Sequence, residues 1–145
     1  MLIQITIPGA PKVKGRPRFA RIGGFIRAYT PKETHEAEAF IAKCYKEQAP
    51  KKRPEYDWLE IECIFHIPIP ENNSQKKKQD MEGAPCVKRP DIDNYLKLIL
   101  DGLNGVAWED DNAIASIKAE KKYSAYQRTD VNIYYYKKDL TNKEK

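Results

Sequence analysis

The segment from Trp58 to Ile67 constrains the fold most, because its apolar and polar residues largely alternate with a period of two. In an extended chain the odd-numbered positions share one face, and they are Leu59, Ile61, Cys63, Phe65 and Ile67. A strand with one apolar face belongs in a sheet that is covered on that side. The rest of the chain must therefore supply neighbouring strands and a covering layer.

Further strands are predicted on both sides of this segment. Leu2 to Ile7 alternates in the same way and stops at Pro8-Gly9. Phe19–Ile22 and Phe25–Tyr29 flank Gly23-Gly24, which supplies the positive φ angles of a two-residue hairpin turn. Two more strands are predicted near residues 113–123 and 130–136.

Two helices are expected to cover the sheet. The first is announced by a capping-box pattern, Thr30 with Glu33, and by Pro31 at the first helical position. It should run to about Ala49 and bury Ala37, Phe40, Ile41, Cys44 and Tyr45. The second should run from about Asn94 to Leu103 and bury Leu96, Ile99, Leu100 and Leu103.

The element order β, β-hairpin, α, β, α, β, β does not alternate strictly, which favours an α+β fold: a mixed sheet packed with two helices. The polar stretch 71–88 is expected to be a long loop with at most one short helix, starting at Ser74. A chain of 145 residues forms one domain. We place the domain at residues 1–137 and a charged tail at 138–145.

Composition limits the compartment and the partners. No apolar run approaches the roughly 20 residues that span a bilayer, so no membrane association is expected. The three cysteines, an odd number without a Cys-x-x-Cys pair, indicate a reducing cytoplasm and argue against zinc or disulfides. The net charge of +5 is compatible with a nucleic-acid partner.

Acidic residues are concentrated between positions 91 and 111 of this basic chain. Asp91 and Asp93 would lie on one side if the chain is extended there, with Asp93 also suited to cap the second helix. Asp110 and Asp111 follow Glu109, and three acids in a row repel one another unless a cation lies between them. Oxygen ligands of this kind suit Mg²⁺ or Mn²⁺.

Lys97 lies four residues after Asp93 and four before Asp101, so the three share one helical face. A solvated ladder of ion pairs would show the same spacing, so this pattern alone leaves the function open. A calcium-binding EF-hand is excluded, because Leu96 stands where that loop needs glycine.

A basic stretch without any acidic residue runs from Pro11 to Lys32. Such a stretch can be a solvated loop, but it also binds phosphates through counterion release. The candidate DNA contacts are Lys12, Lys14, Arg16, Arg18, Arg21, Arg27, Lys76, Lys88 and Arg89. Lys88 and Arg89 directly precede the acidic cluster and could position the scissile strand.

The signature Arg89-Pro90-Asp91-Ile92-Asp93-Asn94-Tyr95-Leu96-Lys97, with Leu100-Asp101-Gly102-Leu103-Asn104 and Trp108-Glu109-Asp110-Asp111, resembles the RusA family of Holliday-junction resolvases. Lys14-Gly15-Arg16-Pro17-Arg18 is similar to a segment found in many members. The close likeness covers about residues 88–123, and a looser one extends over most of the chain.

The resemblance implies a small homodimeric, Mg²⁺-dependent endonuclease, with Mn²⁺ as a substitute, that nicks four-way DNA junctions symmetrically during recombination and repair. Many members are encoded by phages or prophages. By resemblance, Asp91, Asp93 and Asp111 hold the metal, with Asp110 as the alternative to Asp111. Lys97 is then the catalytic base or electrostatic group. The implied catalytic residues are Asp91, Asp93, Lys97 and Asp111.

Two other functions stay open at this point. A non-catalytic DNA-binding module would use the acids as helix caps and surface charge, and it would not depend on Mg²⁺. A metal-dependent hydrolase of small phosphoesters would not need the basic stretch, so reversing the charges of Arg16 and Arg18 should leave its turnover intact.

Overall fold

A computed structural model of the chain describes residues 1–138, so all but Lys138 of the expected tail lies outside the described residues. The elements in chain order are β1 (Leu2–Pro8), β2 (Arg18–Ile22), β3 (Phe25–Tyr29), α1 (Lys32–Gln48), β4 (Trp58–Pro68), α2 (Gln75–Met81), α3 (Ile92–Leu103), β5 (Ile114–Ser124) and β6 (Arg128–Tyr136). The α+β class and the mixed sheet are confirmed; α1 and α3 are the two expected covering helices, and α2 is the short helix that was allowed after Ser74.

Four strands form the main sheet in the order β1-β6-β4-β5. β6 runs antiparallel to both β1 and β4, whereas β4 and β5 are parallel and are joined by the crossover that contains α2 and α3. The alternation read from the sequence is observed directly: Leu59, Ile61, Cys63 and Phe65 of β4 are buried. They face the same side as the buried apolar residues of β1 and β6, which are Ile3, Ile5, Ile7, Val131, Ile133 and Tyr135.

Helices α1 and α3 cover this face and pack on each other. Their contact is closest at Gly102, where an added Cβ would lie 2.9 Å from Ile41 Cβ and 3.2 Å from the Glu38 carbonyl oxygen. Glycine at this position therefore lets the last turn of α3 lie against α1. α2 is short, buries none of its residues, and begins at Ser74, whose hydroxyl accepts a hydrogen bond from Lys77 N.

Three details of the helices differ from the expectations. α1 begins at Lys32 with Pro31 in the cap position and without a side-chain cap, so the capping box of Thr30 and Glu33 does not form. Phe40 is exposed rather than buried, and Thr34 takes a place in the buried stripe instead. α3 begins at Ile92, two residues earlier than predicted, and its buried residues are Tyr95, Leu98, Ile99, Gly102 and Leu103.

β5 is an edge strand that is covered along only half of its length. The segment 83–86 pairs with its C-terminal half, through Cys86 N to Lys121 O at 2.9 Å and Tyr123 N to Ala84 O at 2.9 Å. Within residues 1–138, nothing pairs with the outer edge of its first half, from Ile114 to Ala119. No helix of this part of the chain is long and apolar enough to span a bilayer.

Candidate active site

Asp91 and Asp93 lie at the N-terminus of α3. Asp91 occupies the cap position with an extended backbone, φ −69° and ψ 150°, and Asp93 is in the first helical turn. The prediction that residues 91–93 are extended, with Asp93 as the cap, is therefore wrong, because the helix already starts at Ile92. Both side chains are exposed, and neither makes a hydrogen bond or ion pair with another residue between 1 and 138. Two free carboxylates thus lie where the amide groups of a helix start attract negative charge and bound anions.

Lys121 fixes the segment that leads into this helix. Its ammonium group donates hydrogen bonds to the carbonyl oxygens of Lys88, at 2.6 Å, and Pro90, at 2.8 Å. The side chain projects from the second half of β5, so the start of α3 is anchored to that end of the strand. An open groove of about 670 Å³ runs along this junction; it is lined by Pro85, Cys86, Val87, Asp91, Ile92 and residues 119–122.

Asp110 and Asp111 lie beyond the other end of α3, where β5 begins. The Trp108 indole Nε1 donates to Asp111 Oδ1 at 2.6 Å, and Trp108 is fully buried. Asp110 Oδ1 accepts from Asn112 N at 3.1 Å and caps the short 3₁₀ turn Asp111–Ala113. Each of these carboxylates therefore has a structural partner, in contrast to Asp91 and Asp93.

The length of α3 separates the two acidic pairs. The helix has 12 residues, so its ends lie roughly 18 Å apart at about 1.5 Å of rise per residue. The register of β5 gives the same result. Ile114, which follows Asp111, pairs with Leu59 at the start of β4, whereas Lys121, which bonds the carbonyl before Asp91, pairs with Phe65 near the end of β4. Among residues 1–138, no three Asp, Glu, His or Cys side chains are grouped so that they could hold a metal ion. The predicted metal set of Asp91, Asp93, Asp110 and Asp111 is thus not assembled within one chain, and it stays a prediction.

Lys97 lies between these pairs on the exposed side of α3. Its ammonium group is 3.7 Å from Asp101 Oδ2, and its side chain is 64% exposed, so it is free to reach a bound phosphate. Asp101 Oδ2 also forms an ion pair with Lys14 Nζ, at 2.9 Å.

Lys14 is held differently from the other predicted DNA contacts. Its ammonium group is paired with both Glu38 and Asp101. Partial burial disfavours the charged form, but the hydrogen bonds to Glu38 and Asp101 outweigh it, and the pKa of Lys14 is raised above its ordinary value. A phosphate contact from Lys14 would require breaking these pairs. The structure therefore favours a structural role for Lys14, whose ion pairs attach the basic stretch to α1 and α3.

The backbone of the basic stretch docks on both helices at this point. Lys14 N donates to Asn94 O at 3.1 Å, and Gly15 N donates to Thr34 Oγ1 at 3.1 Å. A Cβ on Gly15 would collide with Thr34 Oγ1, so glycine is needed for this approach. The docking creates an open groove of about 800 Å³ that contains Lys12, Arg16 and Arg18 on one side and Pro90 and Tyr95 on the other. Basic side chains thereby border the residue that precedes Asp91.

The remaining predicted DNA contacts are exposed. Arg21 and Arg27 lie on the hairpin of β2 and β3, Lys76 lies on α2, and Lys88 and Arg89 precede α3. The structure brings Lys12, Arg16 and Arg18 close to the start of α3, while Lys76 belongs to a separate element.

Sequence reasoning missed Lys121 and Trp108, which position the two acidic pairs. Lys121 acts on main-chain oxygens, so no side-chain spacing could reveal it. Trp108 carries a usable signal, because a buried indole N–H needs an acceptor and Asp111 follows three residues later.

Comparison with known proteins identifies the family of the chain. The family model "Endodeoxyribonuclease RusA" matches residues 8–134 of the chain. A protein of Bacillus subtilis (strain 168), described as the uncharacterized protein YqaN, is 31% identical over 139 residues, which cover 90% of this chain and 94% of that protein. The match includes both acidic pairs, Lys97 and the basic groove. The chain therefore belongs to the RusA family of endodeoxyribonucleases, the Holliday-junction resolvases that hydrolyse phosphodiester bonds in DNA.

Proposed function

We propose that this enzyme uses Mg²⁺, or Mn²⁺ as a substitute, to resolve four-way DNA junctions by paired symmetric nicks during recombination and repair. One observation carries the proposal: Asp91 and Asp93 have exposed carboxylates that no residue between 1 and 138 pairs with, and their chain neighbours Pro90 and Tyr95 line the groove that contains Lys12, Arg16 and Arg18. Carboxylates next to a phosphate-binding surface repel the substrate unless a cation bound between them reverses the local charge.

The metal ligands in this proposal are Asp91, Asp93 and Asp111, with Asp110 as the alternative to Asp111. Their oxygen atoms are the donors that Mg²⁺ prefers in proteins. Asp111 retains its Oδ2 oxygen for a ligand while Oδ1 accepts the Trp108 hydrogen bond. When bound, the metal would lower the pKa of a water molecule and stabilise charge on the phosphate.

Lys97 is the catalytic cation of the proposal. Its side chain is exposed on the same helix as Asp93, one turn further along, and among residues 1–138 it pairs only with Asp101. It can donate a hydrogen bond to a phosphate oxygen whose negative charge grows in the transition state.

Two chains would complete each site. Because Asp111 lies about one helix length from Asp91 within a chain, a ligand set that contains both requires Asp111 from a second copy. A two-fold homodimer supplies two such sites related by symmetry, as a pair of symmetric nicks requires. This geometry supports the dimer that the family resemblance implies.

The unpaired half of β5 offers a way to form that dimer. If Ile114–Ala119 paired antiparallel with the same residues of a second copy, the chain preceding Ile114 would run toward residues 119–122 of that copy. In each chain the groove formed by residues 119–122 is lined by Asp91. The pairing would thus direct Asp111 of one copy toward Asp91 of the other. The three free, buried cysteines and a DNA substrate support a cytoplasmic location.

Cleavage of a labelled synthetic four-way junction, beside a linear duplex of the same sequence, tests the proposal. With Mg²⁺ we expect paired nicks on the junction alone, which chelator and the variant Asp93→Asn both abolish. Asp80→Asn on α2 is a matched control and should cleave normally. Tight binding without cleavage under any divalent metal would instead indicate a binding module, and turnover of a small phosphodiester in an Arg16→Glu/Arg18→Glu variant would indicate a small-phosphoester hydrolase.

A further inference from the structure

The hairpin of β2 and β3, which we call the arm, extends from the body of the protein without packing on it. In the part of the chain that the structure describes, its strands pair only with each other, and every residue of the two strands except Ala20 is exposed. Five large apolar side chains are between 47% and 73% exposed: Phe19, Ile22, Phe25, Ile26 and Tyr29. A two-stranded hairpin that exposes both faces is marginally stable in water, and a concentration of apolar surface of this kind marks a binding site.

Apolar and cationic side chains are interleaved on both faces of the arm. Residues that pair across an antiparallel ladder share a face, so Ile22 lies beside Phe25 at the tip, and Arg18 beside Tyr29 at the base. On the opposite face Arg21 lies beside Ile26. Each face therefore offers guanidinium groups and flat or branched apolar groups within a few residues of each other.

The charge of the arm selects the partner. From Pro11 to Lys32 the chain carries seven cations and no acid, which disfavours contact with the same surface of another copy and favours phosphates. Phenylalanine and tyrosine stack on the faces of nucleobases that are not stacked on their neighbours. A continuous duplex hides those faces, whereas the crossing point of a four-way junction interrupts the stacking. The combination fits branched DNA better than linear DNA.

The position of the arm agrees with this partner. The chain enters the arm from Gly15 and Arg16, where hydrogen bonds attach it to α1 and α3. The groove at this root also contains Pro90, the residue before Asp91. DNA bound by the arm would therefore continue directly into the proposed metal site.

We propose that the arm is the element that recognises branching: its tip, Ile22 and Phe25, inserts against unstacked bases at the crossing point while Arg18, Arg21 and Arg27 hold the flanking phosphates. The inference rests on the proposed function in that the bound DNA is a junction. The arm contributes binding energy and selectivity, and no step of the hydrolysis depends on it.

The test compares binding of junction and linear duplex, in Ca²⁺ so that the DNA stays intact, for the unaltered protein, Ile22→Ser/Phe25→Ser and Phe25→Tyr. Loss of stacking on a base typically costs a factor of about 10 to 100 in affinity. The serine variant should lose that factor for the junction and keep its affinity for the duplex, whereas Phe25→Tyr should retain both. Tyr126→Ser, at an exposed aromatic residue outside the arm, is the matched control and should bind like the unaltered protein.

A fluorescent base analogue at the crossing point supplies a second readout. Its emission should rise when the unaltered protein unstacks it and should not rise with the serine variant. Equal junction affinity and equal emission in both proteins would overturn the role of the arm, as would conversion of a dimeric protein to a monomer by the serine substitutions. Equal binding of duplex and junction by the unaltered protein would likewise overturn the role of the arm, whereas the proposed function fails only if the junction is not nicked in the cleavage assay.

Discussion

Asp111 accepts a hydrogen bond from a fully buried tryptophan, so its side chain serves the fold as well as any metal. Asp111→Ala would leave the Trp108 indole N–H without an acceptor and should destabilise the protein by about 1–3 kcal/mol. Asp111→Asn retains an oxygen acceptor and should cost less stability, but it removes the charge that a divalent metal needs. We therefore expect denaturant unfolding to distinguish the two variants and junction cleavage to be lost in both. Full cleavage by Asp111→Asn would shift the third-ligand role to Asp110.

At the same scale, Lys97→Ala should preserve junction binding and lower the rate of cleavage. The loss of one electrostatic group at a transition state typically costs ~10²–10³ in rate. Single-turnover cleavage at saturating enzyme isolates this rate from affinity. Lys43→Ala, an equally exposed lysine with an i,i+4 acidic partner on α1, is the control. An unchanged rate in Lys97→Ala would remove this residue from the catalytic set.

At the scale of elements, the unpaired half of β5 carries the prediction about assembly. Ile117→Lys places a charge on this edge, which is a common way in which proteins block strand pairing. Ile117 is 41% exposed, so the chain should still fold. We expect the variant to be monomeric by sedimentation and inactive on junctions, while Ile26→Lys on the arm remains dimeric. A dimeric Ile117→Lys protein would place the interface elsewhere.

The elements also show how far sequence reasoning reaches. Every strand was predicted: the alternation in β4 reflects burial of one face, and Gly23-Gly24 marks the turn between β2 and β3. The start of α3 was predicted two residues late, since Asp91 and Asp93 are equally good capping residues by type and the sequence does not distinguish them. The separation of the acidic pairs was missed as well. The pairs are close in sequence, but α3 lies between them and places them at its opposite ends. The ion pairs of Lys14 join residues 24 or more positions apart, which no local pattern reveals.

At the scale of the whole molecule, a site shared between two chains predicts complementation. Asp93→Asn and Asp111→Asn should each be inactive alone. In a mixture, each heterodimer would combine one doubly altered site with one intact site, so nicking of a single strand should return. If each chain held its own complete site, both sites of the heterodimer would carry one substitution and the mixture would stay inactive. Nicking assays on the mixed and separate proteins distinguish these outcomes.

The acidic pairs lie at opposite ends of α3, and a site shared between two chains would make cutting depend on protein concentration. If each site takes ligands from both chains, dilution below the dissociation constant of the dimer silences the nuclease, and its activity there rises with the square of the amount of protein. A cell that expresses little of this chain would then carry a latent enzyme that leaves its chromosome intact. A rise in expression would then increase resolution more than in proportion. The length of α3 would thus make the cleavage of DNA depend on whether the protein concentration exceeds the dissociation constant of the dimer.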